Sequence, residues 1–238
     1  MLTATRLVLF PLLAAIASIL LVSCGSGARD EGPAPTLDQV HERMKVSSTR
    51  EGYILHNTSV IRGEGDEGSY NAAIEIWLDV QHDLGRTSYQ DADGNRIQIV
   101  AGSRSWDTDA LSDPEPAEAE PCFGNEHALC LLWEGAMGGG QQSTPAISRH
   151  DGRLVVDLPF QSEFALLDVA FQIEGHLYLD QSTFLPVSGA FEFAGESGGT
   201  PTAASFVVEF GEYDFLPSGS LPDDLFDPKS IGFVTPAS

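Results

Sequence analysis

Three cysteines, six histidines and several acidic turns are the residues of this sequence with types and spacings suited to covalent or metal chemistry. Cys122, His127 and Cys130 share one short stretch. Two thiolates and an imidazole at that spacing can contribute to a metal site, and the two sulfurs alone can form a disulfide. His41-Glu42-Arg43-Met44 begins like a zinc-protease helix, but no second histidine follows one helical turn later, so these charges read as helix surface. In Asp91-Ala92-Asp93-Gly94-Asn95 the glycine is misplaced for a calcium loop and no closing acidic ligand follows. Gly138-Gly139-Gly140 lacks the lysine of a phosphate loop, and no serine sits in a nucleophile elbow. His56, His82, His150 and His176 are scattered over expected strands and loops. A triad assembled only by folding is recognised by geometry. The expectation is therefore no catalytic residue, no cofactor and no metal.

Cys24 has a different context. Arg6 is the only positive charge before an apolar run from Leu7 to Leu20, broken by Pro11 and Ser18, and Leu21-Val22-Ser23-Cys24 follows. A basic end, an apolar stretch and small residues form a secretory signal. The alternative is a retained helix, since the run approaches the roughly 17–20 residues that span a bilayer. Leu21-Val22-Ser23-Cys24 resembles the lipobox of bacterial lipoproteins. That resemblance implies a diacylglycerol thioether on Cys24, cleavage before it, and acylation of the new amino group. Two or more chains make such an anchor stable, at about 0.8 kcal/mol per buried CH₂. Residues 1–23 are then a signal peptide, 24–35 a lipidated tether, and 36–238 one domain outside the membrane in the cell envelope. An exported chain permits oxidation, which favours the Cys122–Cys130 disulfide over the metal site. Closing so short a loop contributes about 2–3 kcal/mol.

Twelve basic residues face thirty-five acidic ones, for a formal net charge of −23. Nucleic acid, which needs basic patches to displace counterions, is excluded as a partner. So is electrostatic docking on an anionic lipid surface.

The elements that would position any site are mostly strands. Thr36 can cap a helix to Ser48, with Leu37, Val40 and Met44 on one face. Tyr53 to Ile61 is an apolar-rich run. Ala72, Ile74, Ile76, Leu78 and Val80 alternate with more polar neighbours, as in a half-buried strand. Asp93-Gly94 signals a hairpin between Gly85–Gln90 and Asn95–Val100. Ser103 to Asp107 starts another strand. Asp107 to Pro121, acidic and proline-rich, reads as an exposed loop and a candidate protein contact. Glu126 to Met137 can form a helix, and Gly138 to Gln142 a flexible connection. Strands are expected at Arg153–Leu158, Val169–Asp180, Pro186–Phe193 and Ser205–Phe215, with a turn at His150-Asp151-Gly152. The tail from Leu216 should wrap the sheet edge. The class is α+β, a curved antiparallel sheet with its helix against one face.

Tyr178-Leu179-Asp180-Gln181-Ser182-Thr183-Phe184-Leu185-Pro186 resembles the strand, turn and Leu-Pro restart of the LolA/LolB-like domain. That group includes outer-membrane lipoprotein carriers and the mycobacterial LppX/LprG lipoproteins. Ile74 to Asp79, Asp93-Gly94, Ser105-Trp106 and Glu212 to Phe215 resemble the same group. The resemblance implies an incomplete barrel with helices packed on its concave face, and an apolar cavity that binds a lipid or the acyl chain of a lipoprotein without catalysis. The contact residues would be Ile74, Ile76, Leu78, Val169, Phe171, Ile173, Phe206, Val208 and Phe210. The alternative is a tethered interaction or sensing domain with a filled core, since patterning fixes which face is buried and not what fills it.

Overall fold

Thr36 begins the described fold with a reciprocal cap. Its hydroxyl accepts from the backbone of Gln39 at 3.3 Å, and the Gln39 side chain accepts from the Thr36 backbone at 2.9 Å. This starts helix α1, Leu37–Ser48. Val40 and Met44 are fully buried on one face, while Val46 faces solvent. The Arg43 guanidinium lies 4.9 Å from the centre of the Phe184 ring, which ties α1 to the sheet. The structure is a computed structural model that describes residues 33–66, 68–108, 116–119, 127–132, 141–142, 144–166, 169–197 and 200–233. Residues Ala34–Ser238 form one compact unit. Among the described residues, no helix is long and apolar enough to cross a membrane. Cys24, Cys122 and most of the acidic loop lie outside the described residues.

Among the described residues, twelve strands form one antiparallel sheet. They are β1 Tyr53–Gly65, β2 Gly68–Asp79, β3 Leu84–Gln90, β4 Asn95–Ala101, β5 Arg104–Asp107, β6 Ala117–Glu118, β7 Gln141–Gln142, β8 Ala146–His150, β9 Arg153–Leu166, β10 Val169–Asp180, β11 Pro186–Ser197 and β12 Thr200–Pro217. The spatial order is β6-β5-β4-β3-β2-β1-β12-β11-β10-β9-β7, with β8 also on β9. The order is linear, so among the described residues the curved sheet is open. β1 joins the two halves. It pairs with β2 on one side and β12 on the other, from Tyr53↔Pro217 to Gly65↔Ala204. A bulge between Asn57 and Ser59 is stitched by the Asn57 amide, which donates to Gly211 O at 2.9 Å and Glu212 O at 3.3 Å. Asn57-Thr58-Ser59 matches the acceptor pattern for glycosylation, but Asn57 is 1% exposed inside β1, so these are ordinary strand residues.

The register sorts every strand onto two faces. The inner face carries α1 and the main core, with Leu55, Leu78, Leu158, Leu177 and Leu179 almost wholly buried. The outer face has a smaller cluster of Ile99, Ile231 and Phe233 beside Trp106 and Ile97. There the C-terminal tail lies across the sheet instead of wrapping its edge. Arg86 holds it by donating to Leu225 O at 3.0 Å and to the Ser230 hydroxyl at 3.2 Å. The apolar outer positions Ile99 and Trp106 explain the difference, because they need cover and Ile231 and Phe233 provide it.

Several expectations are met closely. β10 has the bounds read from its alternation, Asp91 accepts from the backbones of Asp93 and Gly94 in the expected hairpin, and Asp151-Gly152 turns β8 into β9 with positive φ. Others need correction. β9 runs to Leu166 instead of stopping at Leu158, because Pro159 and Phe160 continue the pairing with His176 and Gly175. Part of the acidic stretch joins the sheet as β6, and Ala119 is buried with its N–H on Ser103 O at 2.9 Å. Gln141–Gln142, expected as a flexible connection, pairs with β9. The helix expected over 126–137 is not contradicted: its described part is a 3₁₀ turn at Ala128–Cys130 running into α-helical Leu131 and Leu132, and the rest lies outside the described residues.

The β10–β11 turn is built on one carboxylate. Asp180 accepts from the backbones and hydroxyls of both Ser182 and Thr183. This lets Phe184 take φ 60° with its ring buried under α1. Burial pushes the Asp180 carboxyl up, but the donors of Ser182 and Thr183 outweigh it and hold it below its ordinary value. A lowered carboxyl stabilises the fold above its unfolded pKa, and that contribution disappears as pH falls through the lower folded value. Asp180→Asn should therefore cost about 1–2 kcal/mol at neutral pH. In urea denaturation the gap between variant and parent should close on acidification towards and below the usual carboxylate range.

Candidate functional site

The inner face is not uniform along the strands. One register row reads Leu158–Leu177–Gly189–Val208–Ile61–Ala72 across β9, β10, β11, β12, β1 and β2. Every residue of that row is buried. Two residues further along the strands the row becomes Phe160–Gly175–Phe191–Phe206–Gly63–Tyr70. Four aromatic rings here form a belt, with centroids 6.0 Å apart for Phe160–Phe191, 6.3 Å for Phe191–Phe206 and 6.0 Å for Tyr70–Phe206. Such spacings are those of interacting aromatic pairs. The two glycines make the belt possible. A Cβ at Gly63 would run into the Phe206 ring, and one at Gly175 into the backbone and side chain of Phe191. Phe160 is buried, whereas Tyr70, Phe191 and Phe206 are only partly so.

The nine residues read from sequence as ligand contacts all fall on this inner face by register. They do different things there. Ile74, Ile76, Leu78 and Val208 are buried wall. Ile173, Phe206 and Phe210 are partly buried against the core. Val169 and Phe171 occupy inner-face register positions opposite Leu166 and Phe164. Sequence reasoning missed Tyr70, Phe160 and Phe191. Phe191 lies on the alternation of β11 and was legible there; Phe160 was hidden behind Pro159.

A pocket of about 190 Å³ opens on the same face at the β2–β5 end. Ile74 and Leu131 supply its apolar surface, and Thr87, Tyr89, Arg96, Gln98 and Asp107 its polar wall. Thr87, Gln98 and Asp107 form one register row, and Tyr89 and Arg96 the next. The Gln98 amide donates to the Ser105 hydroxyl at 3.1 Å. The Thr87 hydroxyl oxygen is buried and has no hydrogen-bond partner. Burial, then Asp91, push the Tyr89 phenol above its ordinary value, with Arg96 acting in the opposite sense. Deeper in the sheet, burial also pushes Tyr213 well up, and its hydroxyl donates to Pro186 O at 2.9 Å.

Leu131 reaches this pocket because Asp83 holds the turn that carries it. Asp83 sits in the left-handed region at φ 54°. Its carboxylate accepts from the backbones of His127 at 3.0 Å and Ala128 at 2.8 Å, and pairs with the His127 ring at 2.9 Å. Leu129, Cys130, Leu131 and Leu132 are then buried over the sheet. Gly85 leaves the space that the Leu131 side chain enters. His127, a sequence candidate for metal ligation, is used here as a clamp. Among the described residues no group of three acidic, histidine or cysteine side chains is arranged to hold a metal.

A larger cleft, about 370 Å³, lies on the outer face. Glu64, Glu174 and Glu192 line it, and Glu174 stands directly opposite Glu192 in the register. It is acidic and open, and it faces away from the apolar face, so the smaller inner pocket is the better candidate. On the outer face of β8–β10, His150 stacks on Tyr178 at 3.9 Å and His176 pairs with Asp157 at 2.7 Å.

No family model matches the chain, and no curated protein matches it. Among solved structures the chain is similar to a LolA superfamily protein from Nitrosomonas europaea, with a TM-score of 0.39 and 13% identity over 81% of this chain and 98% of that one. It is similar to a putative outer membrane lipoprotein-sorting protein domain from Vibrio parahaemolyticus, at 0.38 and 10% over 82% and 97%. It is also similar to a DUF1329 family protein from Desulfovibrio piger, at 0.39 and 9% over 82% and 97%.

Asp83→Ala removes the acceptor for two backbone N–H groups and the His127 ring. The expected cost is about 2–3 kcal/mol, by the usual worth of hydrogen bonds to a charged group. Hydrogen exchange should rise first in residues 127–132, ahead of the β1–β2 and β9–β12 strands. Uniform loss of protection would show that the turn is not separately held.

Proposed function

We propose that this chain is a lipid-anchored lipoprotein of the cell envelope that binds the acyl chain of a lipid or acylated protein on its inner sheet face, as a carrier and without catalysis. The observation that carries the reading is the aromatic belt. Three of its rings, Tyr70, Phe191 and Phe206, are only partly buried, and such rings in contact are a surface that alkyl chains cover favourably, at about 25 cal/mol per Å² removed from water. The curved open sheet gives that surface a trough-like form. Cys24 would place the domain at a membrane, where such ligands are found, and the short sequence after it is long enough to act as a tether. Pairing of Cys130 with Cys122 belongs to the same proposal, since a cross-link at the buried Cys130 would fix the turn that covers the β2–β5 pocket.

A second reading has one observation in its favour. The row through Leu158, Leu177 and Val208 is tightly buried, which suits a domain whose core is filled and whose partner is a protein met at the acidic stretch 107–121.

The test uses the full-length protein extracted from membranes into a detergent with no acyl ester. Organic extraction followed by mass spectrometry should yield non-covalently bound acyl lipid at a near-stoichiometric level. Phe191→Gln should lower that level several-fold while the thermal transition persists. Extracts without acyl lipid, and no uptake of added lipid, would move the assignment to the interaction domain. Separately, Cys24→Ala should shift the protein from the membrane to the soluble fraction and abolish incorporation of a labelled acyl chain; continued membrane retention would point to the uncleaved helix.

A further inference from the structure

We propose that the inner-face pocket at β2–β5 is a head-group subsite for a neutral, hydroxyl-bearing glyceride, an inference that rests on the acyl-carrier reading and names the class of its ligand. Its size is suitable. An apolar cavity of about 150 Å³ holds one benzene, and the 190 Å³ here has room for a head of glycerol size. Its chemistry is two-sided. Ile74 and Leu131 offer apolar contact to the carbon atoms, while the wall opposite is polar.

The polar groups select among heads. Thr87 places a buried, unpartnered hydroxyl in the wall. Buried polar atoms almost always have a partner, and one left without it is costly, so the site favours an occupant able to donate or accept there. Gln98 spends an amide N–H on Ser105, which leaves its carbonyl oxygen as an acceptor for a ligand hydroxyl. Tyr89 stays a neutral phenol and can donate. Arg96 and Asp107 stand on the same wall with opposite charges. These charges offset one another over the wall, so neither a carboxylate nor a cationic head finds a net complementary charge there, while each gives up its hydration on entering. A neutral head carrying both hydroxyls and an ester oxygen opposes neither charge. The formal net charge of −23 acts in the same direction, against anionic amphiphiles. An acyl chain attached to that head would have to pass over the buried Ala72 to reach the belt. Ile74 and Tyr70 lie on the same face of β2, four residues apart, so the aromatic belt begins roughly 13 Å along the strand.

The experiment compares three single-chain probes on the full-length protein by competitive native mass spectrometry: monooleoylglycerol, oleate and methyl oleate. The parent protein should prefer monooleoylglycerol to oleate by about tenfold, the worth of one or two net hydrogen bonds. The double variant Thr87→Val with Gln98→Leu should lose that preference and keep its binding of methyl oleate, which reports that the fold and the acyl surface are intact. Equal or stronger binding of oleate by the parent, or a preference that survives in the double variant, overturns the head-group assignment while methyl oleate binding leaves the carrier reading standing. Failure of all three probes to bind overturns both.

Discussion

The antiparallel pairing of β1 with β12 makes one sheet out of two ends of the chain. β1 to β6 and β9 to β12 are each runs of neighbouring strands, and β1–β12 is the ladder that joins them. It carries long strands from Tyr53↔Pro217 to Gly65↔Ala204, so it must be closed against the loop entropy of more than half the sequence. The bulge at Asn57 is part of the joint. Without the Asn57 amide on Gly211 O and Glu212 O, the two backbone carbonyls at the bulge would lose their side-chain partner in the middle of the sheet. The same register also sets which side chains share a row on the inner face. A one-residue slip would send Phe206 and Val208 outward and bring the exposed Val207 and Glu209 in.

That joint explains what could be read from sequence and what could not. Local patterning was enough for α1, with Thr36 and Gln39 three residues apart, and for β10, whose alternation from Val169 to Asp180 is broken only at Gly175. It was enough for the turns at Asp93-Gly94 and Asp151-Gly152, where a few residues settle the geometry. It bridged Gly175, the one inner position of β10 without a side chain, but failed at other breaks in composition. Pro159 ended the expected strand early, yet it is accommodated opposite His176, and Phe160 beyond it completes the aromatic belt. β6 and β7 are two-residue strands that exist only because β5 and β9 offer edges. The tail could not be placed because its anchors, Arg86 and Ile99, are far away in sequence.

The candidate site was legible as a face and not as a place. Alternation correctly put Ile74, Ile76, Leu78, Ile173, Phe206, Val208 and Phe210 on the buried side. It could not separate the wholly covered wall from the partly open belt, since that depends on which strands lie side by side. Asp83 was invisible for the same reason. Nothing in its own neighbourhood marks it as the acceptor for His127 and Ala128, forty-odd residues later. The polar wall of the pocket was legible only in part. Thr87 and Tyr89 alternate on β3, but Gln98 and Asp107 join them only through the β3–β4–β5 register.

The gradient along the inner face limits where a ligand can lie. Under α1 and the Ala128 turn the face is leucine-rich and almost wholly buried, and inserting further methylenes into a packed core costs energy. An acyl chain is therefore not accommodated there without moving a covering element. Towards the other end of the strands the inner positions become Gly175 and Gly63 beside large rings. Glycine next to phenylalanine leaves backbone for a ring to lie on and lets the belt sit low on the sheet. On β2 the transition runs through Ala72, the smallest inner side chain between Ile74 at the pocket and Tyr70 at the belt. Under the proposed reading, a ligand with a compact polar head and an apolar chain would set its two ends at the pocket and the belt, with the buried Ala72 between them.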